Sequence, residues 1–131
     1  MGFFDGLLGH GTEVDSAKLS SRLDGVLIDG ETAQISFKVL GDFFVFTDYR
    51  LILVDIQGVT GKKVEYVSIP YRSITRFSVE TAGTFDLDAE LKIWVSGDSV
   101  PIQKTLKKGT DVRGIQRAIA TAIFVGQRSQ S

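Results

Sequence analysis

The chain has no cysteine, two prolines, one tryptophan and one histidine in 131 residues, and its formal net charge is -1. Without cysteine there is no disulfide, no thiolate metal site and no thiol nucleophile, which fits a reducing compartment. A charge this close to zero exerts no electrostatic pull on nucleic acid, whose binding proteins carry a basic excess on at least one face, so no nucleic-acid partner is expected. The apolar runs fall far short of the roughly 20 residues that span a bilayer, and no basic n-region precedes a signal-like core. The cytoplasm is therefore the expected compartment. The single histidine, His10, lies in a glycine-rich arm where no third group holds it as a base, and the serines lack a nucleophile-elbow sequence. Neither enzyme activity nor a cofactor is expected.

What is present is strand-forming sequence. The stretch from Asp42 to Thr81 strings together four runs rich in Val, Ile, Phe, Tyr and Thr, namely Phe43 to Thr47, Arg50 to Asp55, Lys63 to Ile69 and Ile74 to Thr81. Only turn residues separate them, and Pro70, which cannot donate to a ladder, closes the third run. Upstream, Ala33, Ile35, Phe37 and Val39 alternate with polar residues. Downstream, Leu91, Ile93 and Val95 do the same, and a last strand is read from Val100 to Leu106. The count is seven strands. A short amphipathic helix precedes them, with Asp15 or Ser16 as N-cap and Leu19, Leu23, Val26 and Leu27 on its apolar face. A second follows them, capped by Thr110 and carrying Val112, Ile115, Ile119 and Ile123 at helical spacing.

This size and composition suit one core, expected over residues 14–125 and flanked by an apolar glycine-rich arm (1–13) and a polar tail (126–131) that frays. In the arm Phe3, Phe4, Leu7 and Leu8 fall at helical spacing, opposed by Gly2, Gly6, Gly9 and Gly11. The arm lacks Lys and Arg, which a membrane-surface helix wants, so docking on its own sheet or on a neighbouring subunit is the favoured reading and a membrane the alternative.

Three further features are candidates for a site. Asp86, Asp88 and Glu90 alternate on an extended segment, yet they lack the glycine and later glutamate of a calcium loop and read as a solvated face or an acidic stripe for assembly. No metal is expected there. Trp94 shares a strand face with Glu90 and Lys92, which places a large aromatic on the wetter side, under a local element or at an interface. GVTGKK lacks the first glycine and the hydroxyl of a phosphate-binding loop and joins two strands, so it is no such loop.

Seven strands closed by a C-terminal helix are the layout of the pleckstrin-homology (PH) fold: a mainly β barrel of two nearly orthogonal antiparallel sheets plugged by the helix. The run FFVFTDYRLILVDIQGVTGKKVEYVSIPYRSITRFSVETAG, followed by FDLDAELKIWVSG and PIQK, closely resembles a bacterial PH-like domain family long catalogued as a domain of unknown function. The resemblance covers Leu19 to Phe124. It implies a non-enzymatic module whose relatives form homo-oligomeric rings and bind proteins through a polar surface where protomers meet. On that reading Trp94, Asp86, Asp88 and Glu90 are candidate oligomer or partner contacts, the partners being other copies of the chain and an unidentified protein. Phosphoinositide binding is not implied. The junction of the first two strands, Lys38 to Asp42, holds one lysine and an aspartate, and Lys62, Lys63, Lys104, Lys107 and Lys108 are scattered.

Overall fold

In a computed structural model that describes residues 7–8, 13–39, 41–58, 62–81, 88–107 and 110–130, the chain builds two sheets and two helices. A two-residue strand, β1 (Leu7–Leu8), precedes helix α1 (Glu13–Leu23). Strands β2 (Ala33–Val39), β3 (Asp42–Thr47), β4 (Arg50–Gln57) and β5 (Lys63–Pro70) follow. A 3-10 turn at Tyr71–Ser73 leads into β6 (Ile74–Glu80), β7 (Ala89–Val95) and β8 (Ile102–Leu106), and helix α2 (Val112–Gln130) ends the chain. The first sheet has the order β1-β2-β3-β4-β5 and the second β6-β7-β8. All pairings are antiparallel except that of β1, which runs parallel to β2 with Leu7 opposite Ser36. The seven expected strands and both helices are in place.

Turn chemistry explains the boundaries. Val39 stands opposite Asp42, and Gly41 between them adopts φ +103°, a conformation that costs glycine nothing and a residue with a Cβ about 1–2 kcal/mol. Pro70 is the last residue of β5, and Pro101 is left just outside β8, as a residue without an N–H requires.

The core has two parts because β3 and β4 are buried on both faces. Phe44, Phe46 and Leu51 point into the barrel with Phe37, Tyr71, Leu91 and Ile93, and α2 closes that space with Ile115, Ile119, Ala122 and Ile123. Phe37 stacks on Phe44 with centroids 5.2 Å apart, the geometry of a cross-strand aromatic pair. On the opposite face Phe43, Val45, Ile52 and Val54 meet Leu19 and Leu23 of α1. This double cover is why DFFVFT shows no alternation: neither side of the strand meets water.

Local details differ from expectation in four places. Helix α1 runs from Glu13 to Leu23, so Asp15 and Ser16 lie within its first turn, neither is the N-cap, and Val26 and Leu27, expected on its apolar face, fall beyond its end. The cap of α2 is Asp111, whose Oδ1 accepts the Gly114 N–H at 3.0 Å, while Thr110 stands one residue outside; both residues are good caps and only the side-chain geometry selects between them. Helix α2 continues to Gln130 through the polar tail expected to fray, for GQRSQS contains no proline to stop it. Leu7 and Leu8 form a strand rather than a turn of helix, in keeping with the helix-opposing glycines around them; Phe3 and Phe4 lie outside the described residues.

A polar network fastens the segment between α1 and β2 to the β3–β4 turn. The buried Glu31 carboxylate accepts the Thr47 hydroxyl at 2.7 Å, Arg50 Nε and Nη2 at 2.9 Å each, and the Ile28 N–H at 3.1 Å. Arg50 also donates to the Val26 carbonyl at 3.0 Å and to Ser68 Oγ at 2.8 Å. Burial by itself would raise the Glu31 carboxyl, but the hydrogen bonds from Arg50, Thr47 and Ile28 outweigh it and hold the group below the usual range. Beneath the turn, the Tyr71 hydroxyl donates to the Thr47 carbonyl, and burial, with Asp48 and Glu31 nearby, pushes the phenol well above its ordinary value.

Candidate functional site

The outer face of β6-β7-β8 gathers the exposed polar groups of the small sheet. On β7 the inward positions are Ala89, Leu91 and Ile93, which leaves Glu90, Lys92 and Trp94 facing outward as read from the alternation. Register sets their neighbours: Arg76 opposite Trp94, Ser78 and Gln103 flanking Lys92, and Glu80 and Thr105 flanking Glu90. A bulge between Ile74 and Arg76 brings Arg76 onto this face. Its guanidinium lies 4.1 Å from the Trp94 ring centroid. Such a cation–π contact is worth about 0.5–1 kcal/mol at an exposed site.

Trp94 is therefore covered by the neighbouring strand, not by α1, whose leucines pack on the other sheet. Glu90 is held by its own sheet, accepting from Thr105 Oγ1 at 3.1 Å and Gln103 Nε2 at 3.3 Å. It also stands opposite Glu80, a like-charge pair that costs stability unless something basic meets it. The face thus runs from Arg76, Trp94 and Lys92 at one end to Glu80 and Glu90 at the other. Asp88 is exposed just ahead of β7, while Asp86 lies outside the described residues. Among the described residues no group of three His, Cys, Asp or Glu side chains is arranged to hold a metal.

Other candidate groups do not converge. Lys104 meets Asp42 Oδ2 at 3.4 Å, linking β8 to the first sheet. Lys62 and Lys63 are exposed at the start of β5, and Lys38 is half-buried on β2. A notch of about 360 Å³ at the end of α1 is lined by Ser20, Ser21, Leu23, Asp24 and Leu27. Arg76 was not singled out from the sequence: its role depends on a cross-strand register shifted by a bulge, and its only local signal is alternation with Ser78 and Glu80.

The sheets also have unequal ends. β5 closes the first sheet, eight residues long, with Lys63, Glu65, Tyr66, Ser68 and Pro70 exposed. No strand pairs with its outer side among the described residues. Tyr66 is fixed there by donating to the Arg22 carbonyl of α1 at 2.7 Å.

Comparison with known proteins places this geometry. The profile of the family described as Bacterial PH domain matches residues 2–123. The uncharacterized protein YjqA of Bacillus subtilis (strain 168) is 54% identical over 121 residues, spanning 92% of this chain and 97% of that one. The crystal structure of a pleckstrin homology domain from Shewanella amazonensis SB2B is 57% identical with a TM-score of 0.71, covering 88% of this chain and 93% of that chain. That of a DUF1696 family protein with a pleckstrin-homology domain from Shewanella loihica PV-4 is 56% identical with a TM-score of 0.69, covering 82% and 92%.

Proposed function

The chain belongs to the bacterial PH domain family, and from that premise we propose that it is a non-enzymatic binding and scaffold module that assembles with copies of itself and receives a protein partner on the polar outer face of β6-β7-β8. The observation that carries this reading is the set of three sheet edges unmatched among the described residues: β5 along eight residues of the first sheet, and β6 and β8 bounding the second. An edge strand presents a row of backbone donors and acceptors that another strand satisfies. When two different edges meet, the contact is head-to-tail, and repetition closes into a ring if the rotation allows. That is the assembly the family resemblance implies. Lys63, Glu65 and Pro70 on β5 guard against indiscriminate pairing, which leaves room for a specific neighbour.

On the outer face, a tryptophan and an arginine already packed together are the residue types that anchor protein interfaces. The like-charge pair at the acidic end, Glu80 opposite Glu90, is relieved by a basic group from outside.

Light scattering on the purified chain at two concentrations tests the assembly. The expected mass is a fixed multiple of 14.3 kDa at both. A mass of 14.3 kDa at both concentrations overturns self-assembly.

A further inference from the structure

Helix α2 has a second face that the barrel does not use. Ile115, Ile119, Ala122 and Ile123 are buried in the core, and the opposite side carries Arg113, Arg117 and Phe124, placed on one face by spacings of four and seven residues. Arg113 and Arg117 are exposed, and neither takes part in the Arg50–Glu31 or Lys104–Asp42 ion pair. Phe124 is 58% exposed and Val125 beside it 52%. The helix contains no Asp or Glu; the nearest carboxylate in the chain, the exposed Asp111, is engaged in capping Gly114 at the start of the helix.

We propose that this outward stripe of α2 docks on an anionic membrane surface. Helices that lie in a membrane interface combine cations with exposed aromatic or aliphatic side chains and carry few acids, and this face has that composition while the chain as a whole is slightly acidic. Arginine suits lipid phosphates because its planar fork donates two hydrogen bonds to one oxyanion. The shape favours a plane over a peptide: the stripe is a convex ridge about 16 Å long from Arg113 to Phe124, and the notch at the end of α1 is lined by none of its residues. It is separate from the N-terminal arm, which carries no cation, and from the sheet ends invoked for self-assembly, so it stands or falls independently of them.

Co-sedimentation of the full chain with phosphatidylcholine vesicles, with and without about a quarter phosphatidylglycerol, is the test. Binding is expected only with the anionic lipid and is expected to fall steeply with added salt. Arg113→Gln with Arg117→Gln should weaken it about 30-fold, roughly fivefold for each arginine near the surface. Phe124→Ser should weaken it about tenfold while leaving the salt dependence in place. Because all three positions are exposed, thermal melts should match the parent; if a variant melts early, the salt titration of the unmodified chain still decides. Absence of binding to anionic vesicles overturns the proposal. So does binding that both variants leave intact, which would assign it to another surface such as the arm. Stripe-dependent binding of polyglutamate without vesicle binding overturns it as well, and points to an acidic polypeptide.

Discussion

Arg50 and Glu31 meet through two parallel hydrogen bonds, Nε to Oε2 and Nη2 to Oε1, each 2.9 Å long. They are 19 residues apart in the chain, and the pair joins the segment after α1 to the start of β4. Through Val26 and Ile28 the same two side chains hold the carbonyl and N–H of the connecting loop. The α1 cover is thus fastened by packing at Leu19 and Leu23 and by charge at Glu31.

Glu31→Ala should destabilise the fold by about 2–3 kcal/mol, below the 3–5 typical of a fully buried pair, because the Arg50 side chain keeps 22% of its surface in water. The loss should depend on pH. A carboxyl held below its unfolded value near 4.5 contributes stability above that pH, and the contribution fades as pH falls through the lower folded value. Urea titrations at neutral pH and below pH 4.5 should show the parent losing more stability on acidification than Glu31→Ala. Equal losses would mean that Glu31 is not the linked group.

Tyr71→Phe removes the donor to the Thr47 carbonyl inside the barrel and should cost about 1–3 kcal/mol with little change in packing. The raised phenol has the opposite pH sign to Glu31. Its contribution is complete below the unfolded value of 10.0 and is lost as pH climbs beyond it. The parent should therefore lose stability above that pH faster than Tyr71→Phe does, measured by denaturant midpoints on the alkaline side. A variant that follows the parent curve would contradict the burial of this hydroxyl as the cause.

The strands were legible because each strand's period and turn chemistry are local. Ala33 to Val39 and Leu91 to Val95 alternate, and Pro70 ends a strand wherever it is placed. The continuous run Phe43 to Thr47 was readable as strand from its residue types, but its burial on both faces becomes visible only once Leu19 and Leu23 are laid across it. The polar pairs were not legible. Glu31 with Arg50, Tyr71 with Thr47 and Arg76 with Trp94 are each set by which strand lies beside which, and for Arg76 by a bulge that moves the register. Of the candidate site, Trp94 and Glu90 were found by their place on the wet side of β7. Their contacts from β6 and β8 carry no mark in the chain. Asp86 stays outside the described residues.

Leu19→Ala tests whether α1 is an integral cover. Leu19 is fully buried between the helix and the face made by Phe43, Val45, Ile52 and Val54. Truncation should cost about 2–5 kcal/mol, the range for buried leucine, through lost transfer energy and the cavity left behind. A change below about 1 kcal/mol in chemical denaturation would show that the helix is a loosely held flap.

Arg76→Ala should leave the fold almost intact while exposing Trp94. The pair is a surface cation–π contact, so its loss should cost no more than about 1 kcal/mol. The chain has one tryptophan, which makes its fluorescence a report on this site alone. Removing the guanidinium should shift the emission to the red and raise quenching by acrylamide. If a neighbouring copy or a protein partner covers this face, its addition should shift the parent's emission to the blue and lower its quenching, and do so less well in the variant, since the preformed anchor is gone. Quenching that is the same in parent and variant would show that Arg76 does not shield the ring, and the outer face of β6-β7-β8 would lose its anchor.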